Sequence, residues 1–325
     1  MAQEGEIGIP VSLLNPEVEG KDQKKVFIVA NRVSRRGTPR FAELLDWLRT
    51  RKIDARAVHS KYPGHVEELV GEIIKNYENP TIVVVGGDGT YSQAINGALK
   101  ASEDRPVKAI FAFLPAGTAD DNARSLGQDQ KGIREALLRK PEVRTVDALK
   151  MIITTPSGEQ ELHYGLGYVV FGFSAQGAKK IAERRTPERS LSTAEQFLAT
   201  LELASAKPIE IEIGGRRERL SEIIIVNSTK FAKFFKFKTD MADGKFDTVF
   251  LTDKIIPLTL EAVKSTVIPH EGYRRSELKF KALSNVIPQI DGEVIQGLNP
   301  ESPEITTGST VSLSVEKGAI PVLKI

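Results

Sequence analysis

The sequence predicts two domains: an N-terminal α/β domain built on a parallel sheet, and a C-terminal domain that is mostly antiparallel β. Three observations carry this. The chain has 325 residues, more than one hydrophobic core usually organises. From Lys25 to about Asp147, short apolar runs alternate with stretches of helical spacing, as in a parallel sheet covered on both faces. Beyond Asp147, closely spaced strand-like runs follow one another across tight turns, as in antiparallel pairing.

Each element of the first domain has its own signal. "KVFIVAN" reads as a buried strand, and Thr38 and Pro39 open a helix with Phe41, Leu44, Leu45 and Leu48 on one face. "IDARAVHS" is a second strand. "HVEELVGEIIKNY" is a helix with Val66, Leu69, Val70, Ile73 and Ile74 at helical spacing; "TIVVV" and "VKAIFAFLP" are the third and fourth strands. In the second domain the strands are "ALKMIITT", "ELHYGLGYVVFGFSA", "PIEIEIGG" and "LSEIIIVNS", separated by turns such as "PSGE" and "GGRR". Helical stretches around Gly177–Arg185 and Ser192–Ala204 interrupt them, and the tail "GSTVSLSVEKGAIPVLKI" returns to strand character. The expected organisation is a flexible extension over 1–23, a nucleotide-binding α/β domain over 24–146 joined by a last strand at about 317–325, and a β-rich domain over 147–316.

Composition narrows the function. Lys and Arg number 45 against 43 Asp and Glu, a balance of +2 that exerts no overall pull on nucleic acid. The absence of cysteine excludes disulfides, thiolate metal sites and thiol catalysis, and suits a reducing cytoplasm. The first residues are acidic where an export signal is basic, and no run of about 18 apolar residues occurs, so membrane contact is expected to be peripheral.

The chemistry is expected where the third strand ends, in "TIVVVGGDGTYSQAINGALK". Ligands in open parallel sheets bind beyond the carboxyl ends of strands, where helix N-termini present free N–H groups. Gly86, Gly87 and Gly89 can take positive φ and leave room for phosphate oxygens against the backbone. Thr90 can cap the next helix or donate its hydroxyl to phosphate. Asp88 beside a phosphate calls for Mg2+ between them, or for contact with a hydroxyl group. A second strand ends alike, in "FAFLPAGTADDNARSLG". Two such turns on parallel strands would set two helix N-termini around one anion.

With both stretches in view, the chain resembles the diacylglycerol kinase catalytic domain superfamily, especially its bacterial soluble lipid kinases. "GGDGTYSQAINGAL" and "LPAGTADDNARSLG" carry the resemblance. "VANRVSRRG" stands at the family's Asn-Pro-x-Ser-Gly loop, "HSKYPGHVEEL" after the second strand, "FGFSAQ" at the Gly-Phe-x-Ala stretch, "DMADGKFD" at an Asp-Gly turn and "QIDGEVI" at the Asp-Gly-Glu motif. It extends over residues 25 to about 325. It implies an NAD-kinase-like first domain, a β-rich lipid-substrate domain, and ATP with Mg2+ at the cleft between them. On the matching positions it implies Asn31, Ser34, Ser60, Gly86, Gly87, Asp88, Gly89, Thr90 and Thr118 as nucleotide contacts. Glu293, Asp291 and Asp88 would be catalytic, Glu293 as proton acceptor with Asp291 its rival or metal partner. A second, structural Mg2+ would be held by the Asp243 side chain with backbone oxygens of Asp240 and Lys245. The partners implied are ATP and a membrane lipid at the cytoplasmic membrane face, with pairing of two copies compatible and no nucleic acid.

Departures keep a rival open. Arg32 and Arg35 replace Pro and Gly in the first loop, Gln93 replaces a Glu, and Ala119, Asp120 and Asn122 stand where Gly, Asn and Phe are usual. A catalytically weak nucleotide- or lipid-binding regulator on the same fold is the alternative. An NAD kinase is less favoured, because no Thr-Gly-Ser-Thr-Ala-Tyr stretch occurs. "IDGE" also reads as an ordinary hairpin turn, and "DMADGKFD" as a solvated one. "KFAKFFKFK", residues 230–238, interleaves four lysines with four phenylalanines: either a strand with buried rings and solvated lysines, or a basic aromatic rim for anionic lipid. The four histidines show no metal spacing.

Overall fold

The structure is a computed structural model that describes residues 25–31, 37–103, 105–184, 208–232, 235–252, 273–295 and 304–325. The extension over 1–23, the stretch around Ser192–Ala204, Ser34, Arg32 and Arg35 lie outside the described residues. The chain divides into two compact units, Met1–Val146 with Ala319–Ile325, and Asp147–Gly318.

The first unit alternates β1 (Val26–Ala30), α1 (Gly37–Thr50), β2 (Ala55–His59), α2 (His65–Asn76), β3 (Thr81–Gly86), α3 (Asp88–Ser102), β4 (Ile110–Pro115), α4 (Asp121–Ser125) and α5 (Gln130–Leu137). The strands are parallel in the order β2-β1-β3-β4. The chain's last stretch adds one more parallel neighbour, Val322 beside Phe111 of β4. β1 and β3 are buried at every residue, which is why they read as unbroken apolar runs and not as alternation. One face packs Ile28, Val83, Ala112 and Leu114 against Phe41, Leu44 and Leu48 of α1 and Ile133 of α5. On the other, Tyr91 of α3 packs its ring 4.9 Å from Phe113.

The second unit takes most of β5 (Val143–Thr154), then β6 (Gln160–Gly165), β7 (Tyr168–Gly172), α6 (Phe173–Arg184), β8 (Ile209–Ile213), β9 (Arg216–Leu220), β10 (Glu222–Val226), β11 (Lys230–Phe231), β12 (Phe235–Lys236), β13 (Phe246–Leu251), β14 (Tyr273–Arg275), β15 (Glu277–Ala282), β16 (Pro288–Ile290) and β17 (Glu293–Val294). The long β18 (Thr310–Leu323) starts here and ends in the first unit. One sheet runs β14-β13-β10-β7-β16-β17, antiparallel throughout. β18, β15, β8 and β9 pair antiparallel in turn. Val169, Phe171, Ile223 and Ile225 of the first sheet join Ile211, Leu278, Phe280 and Leu313 of the second in one core, with Phe171 and Phe280 edge to face at 5.2 Å.

Two strand readings change. "ELHYGLGYVVFGFSA" is not one strand: it turns after Gly165, resumes as β7 and enters α6 at Phe173, four residues before the expected helix start. Gly172, at φ 112, makes that exit, and a Cβ there would meet the Ser221 carbonyl at 2.4 Å. "KFAKFFKFK" is a hairpin, with Lys230 opposite Lys236 and Phe231 opposite Phe235.

Candidate functional site

The first unit brings its two glycine turns together. β3 and β4 are adjacent and parallel, with Gly86 opposite Pro115, so the turns leave the carboxyl edge side by side. A Cβ on Gly117 would stand 2.5 Å from the Cα of Gly87, and one on Gly87 would stand 3.0 Å from the Cα of Gly117. Close backbone approach is therefore what these glycines provide. The expected positive φ is not found: Gly86, Gly87 and Gly89 all lie outside that region, and Gly87 is extended at φ −107. The Gly86 carbonyl accepts the Ala116 N–H and the Tyr91 hydroxyl, both at 2.8 Å.

Asp88 is the first residue of α3, with Gly87 at the cap. Its carboxylate is buried and accepts the backbone N–H of Asp121 at 3.0 Å and of Asn122 at 2.8 Å. Asp88 thus ties the start of α3 to the start of α4. A hard carboxylate oxygen at this position would suit Mg2+ beside a phosphate, since that ion needs only one or two protein ligands. Thr90 lies inside the helix and not at its cap, where its hydroxyl accepts from Asn31 Nδ2 at 3.4 Å. Ser60 is buried just past β2, its N–H on the Ala30 carbonyl at 2.9 Å. Asn31, Ser60 and Gly86–Thr90 therefore follow the carboxyl ends of three neighbouring strands. Gly89 is half-buried and Thr118 exposed.

Asp120, marked in the sequence only as a departure, shapes the second turn. It sits at φ 54, which aspartate tolerates when its side chain bonds locally, and its Oδ1 accepts the Gly117 N–H at 2.7 Å. Burial pushes its carboxyl up, opposed by the Gly117 N–H and the positive charges of Arg40 and Arg124. Burial, with the charges of Asp120 and Asp88, raises Tyr91 well above the usual phenol range. Among the described residues no group of three or more His, Cys, Asp or Glu side chains converges as a metal cluster.

In the second unit, Ile290 and Glu293 pair across a two-residue turn. Asp291 at φ 48 and Gly292 at φ 88 give the two positive φ values a type I′ turn requires. The hairpin reading and the Asp-Gly-Glu motif reading fall on the same turn. Asp291 is fully buried, and its carboxylate accepts the N–H of Leu166 at 2.7 Å, Gly167 at 2.8 Å and Tyr168 at 3.0 Å. It braces the turn between β6 and β7. Glu293 is exposed at the start of β17.

The proposed second cation turn is also braced. Asp240 accepts the Ala242 N–H at 3.1 Å, and Asp243 accepts the Lys245 N–H at 2.9 Å. The Asp243 carboxylate also pairs with the Arg274 guanidinium, which supplies a positive charge where the cation was expected. Asp147, missed in the sequence, is fully buried and accepts the N–H of Gly244 at 2.6 Å and of Gly318 at 2.7 Å. A lone Asp in a strand gives no local signal of this. Glu222 was missed too: it is buried at the start of β10 and accepts the Ser174 N–H at 3.1 Å. Burial pushes its carboxyl up to about 7.

The geometry of paired phosphate-type turns is matched by similarity. Residues 25–151 match the model of the diacylglycerol kinase catalytic domain. A Bacillus subtilis strain 168 protein named "Putative lipid kinase YtlR" is 29% identical over 142 residues, which cover 41% of this chain and 42% of that protein's length. The chain thus spans less than half the length of the curated relative it matches. The crystal structure of a diacylglycerol kinase from Bacillus anthracis strain Sterne covers 94% of this chain and 98% of its own, with a TM-score of 0.61 at 15% identity. Yeast NADH kinase complexed with NADH matches at a TM-score of 0.52 and 11% identity, covering 93% of this chain and 83% of that one. At such identities the likeness is one of fold, and the expected fold class holds in both its parts.

Proposed function

We propose that this protein is an ATP- and Mg2+-dependent lipid kinase that phosphorylates the hydroxyl of a diacylglycerol-like lipid, working peripherally at the cytoplasmic membrane face. The observation that carries the reading is the backbone contact of Gly87 with Gly117, beside an Asp88 that clasps the start of α4. Backbone amides crowded at one carboxyl edge suit an anion with several oxygens. Asn31, Ser34, Ser60, Gly86, Gly87, Asp88, Gly89, Thr90 and Thr118 are the proposed nucleotide contacts.

The lipid oxygen bonds to the γ-phosphorus as the bond from that phosphorus to the β,γ-bridging oxygen breaks, and ADP leaves. The hydroxyl proton passes to the Glu293 carboxylate, the exposed member of its hairpin. Asp291 holds that hairpin in place through its three backbone N–H partners. Mg2+ would neutralise phosphate charge near Asp88. A second cation at Asp240, Asp243 and Lys245 requires Arg274 to give up the Asp243 carboxylate.

The test is transfer of radiolabelled γ-phosphate from ATP to a panel of lipids in mixed micelles, with NAD as the control acceptor. Label on a neutral glycerolipid is the expected result. Label on NAD alone overturns the reading, and binding of ATP and lipid with no transfer leaves the regulator in its place.

A further inference from the structure

The carboxyl edge of the first unit holds a side-chain charge that the roles above leave unused. α1 begins at Gly37, soon after β1 ends, and β1 lies beside β3 with Ala30 opposite Val85. Its first turn therefore stands at the edge from which the Gly87 and Gly117 turns emerge. Arg40 is half-buried in that turn. Its charge reaches both the Asp120 carboxyl and the Tyr91 hydroxyl, and Arg124 of α4 acts on Asp120 as well. Arg40 and Arg124 are thus the positive charges that act on this carboxylate, whose Oδ1 accepts the Gly117 N–H at 2.7 Å.

The charge balance says why an anion needs them. Asp88, Asp120 and Asp121 are all buried at this edge, so a bare cradle of amides would set a triphosphate against three carboxylates. Amides alone offset that repulsion poorly, whereas a guanidinium offers a fixed fork of donors matched to phosphate oxygens. We propose that Arg40 contacts the terminal phosphates of the nucleoside triphosphate, as the side-chain half of a cradle whose backbone half is the Gly87–Gly117 pair, and that Asp120 orients its guanidinium. This rests on the nucleotide reading given above.

The test is calorimetric titration of Mg-ATP and of AMP into the parent chain, Arg40→Gln, Arg40→Lys and the double variant Arg40→Gln/Asp120→Asn. Arg40→Gln is expected to weaken ATP binding by roughly tenfold or more while AMP binding stays within about twofold, because AMP lacks the terminal phosphates. Arg40→Lys, which keeps the charge and loses the fork, recovers only part of the affinity and decides the matter should the glutamine variant fold poorly. Unchanged ATP affinity in Arg40→Gln overturns the proposal. So does full recovery in the double variant, which would make Arg40 a mere counter-ion of Asp120. A parent chain that binds neither nucleotide removes the kinase reading itself; one that binds ATP as tightly as its Arg40 variants do removes this inference alone.

Discussion

The Asn122 side chain is fully buried, and among the described residues neither its Nδ2 nor its Oδ1 meets a partner. A buried amide without hydrogen bonds costs its whole desolvation, and a residue of like size without polar atoms removes that cost. Asn122→Leu keeps the backbone N–H that Asp88 accepts and is expected to raise the stability of the first unit by about 1–3 kcal/mol in denaturant unfolding; a lower midpoint would mean the amide is satisfied in solution. Asp88 has one observed task, the clasp on α4, and one proposed task, a charge for the phosphate site. Asp88→Asn turns an NH2 group toward a backbone N–H, so a modest loss of stability should accompany a loss of turnover of about 10²-fold or more. Near-normal turnover in the folded variant would leave Asp88 only the clasp. Glu293 is exposed where Asp291 is buried, so solvent access favours it as the proposed proton acceptor. Glu293→Gln should lower kcat by about 10²–10⁴-fold while ATP affinity holds; equal turnover would move the base elsewhere.

At the scale of elements, α6 starts against a buried carboxylate. Glu222 accepts the Ser174 N–H in the helix's first turn, a favourable place for negative charge, yet burial outweighs that and lifts the group from 4.5 to about 7. A carboxyl raised on folding binds its proton more tightly in the native chain. Its contribution to stability is therefore full below about pH 4.5 and is lost as the pH rises through about 7. Glu222→Gln, which keeps an acceptor for Ser174, should be the more stable of the two at pH 8 by roughly 3 kcal/mol at most, with the difference shrinking toward pH 5. Parallel denaturation midpoints for parent and variant at pH 5 and pH 8 would show that Glu222 does not titrate in this range. The β11–β12 hairpin fits the reading of its sequence as buried rings with solvated lysines. Phe231 and Phe237 are buried with Tyr168, Val170 and Val226, Phe235 is half-buried, and Lys236 and Lys238 are exposed. Replacing Lys236 and Lys238 with Gln should weaken sedimentation with anionic vesicles and leave the fold intact, because the anchoring rings are untouched. Vesicle binding that ignores both the substitutions and added salt would make the hairpin simply a cover for the sheet.

For the molecule as a whole, the pairing of Asp243 with Arg274 predicts that the proposed Mg2+ acts on activity and not on folding. Removing Mg2+ with a chelator should abolish phosphoryl transfer and leave the thermal midpoint of the nucleotide-free chain within about 1 °C, since no cation is needed to neutralise Asp243. A midpoint that falls steeply on chelation would establish a structural cation after all. Among the described residues no helix is long and apolar enough to cross a membrane.

What the sequence determined by itself was set by local rules: β1 and β3 are buried on both faces and so are apolar at every position, α1 and α2 carry their apolar stripes at helical spacing, and "IDGE" makes a hairpin because two central residues must take positive φ. The two glycine turns were legible as a pair at one sheet edge, but their reason was not: the spacing of glycines suggests positive φ, while the observed need is for room where Gly87 and Gly117 meet across two strands. Tertiary structure alone decided what the carboxylates do. Asp291 is bonded to residues 123 to 125 positions away, Asp88 to residues 33 and 34 positions away, and Asp147 to Gly244 and Gly318. Periodicity reports which face of an element is apolar, whereas the partner of a buried charge is fixed by how distant segments pack, and no local pattern encodes it.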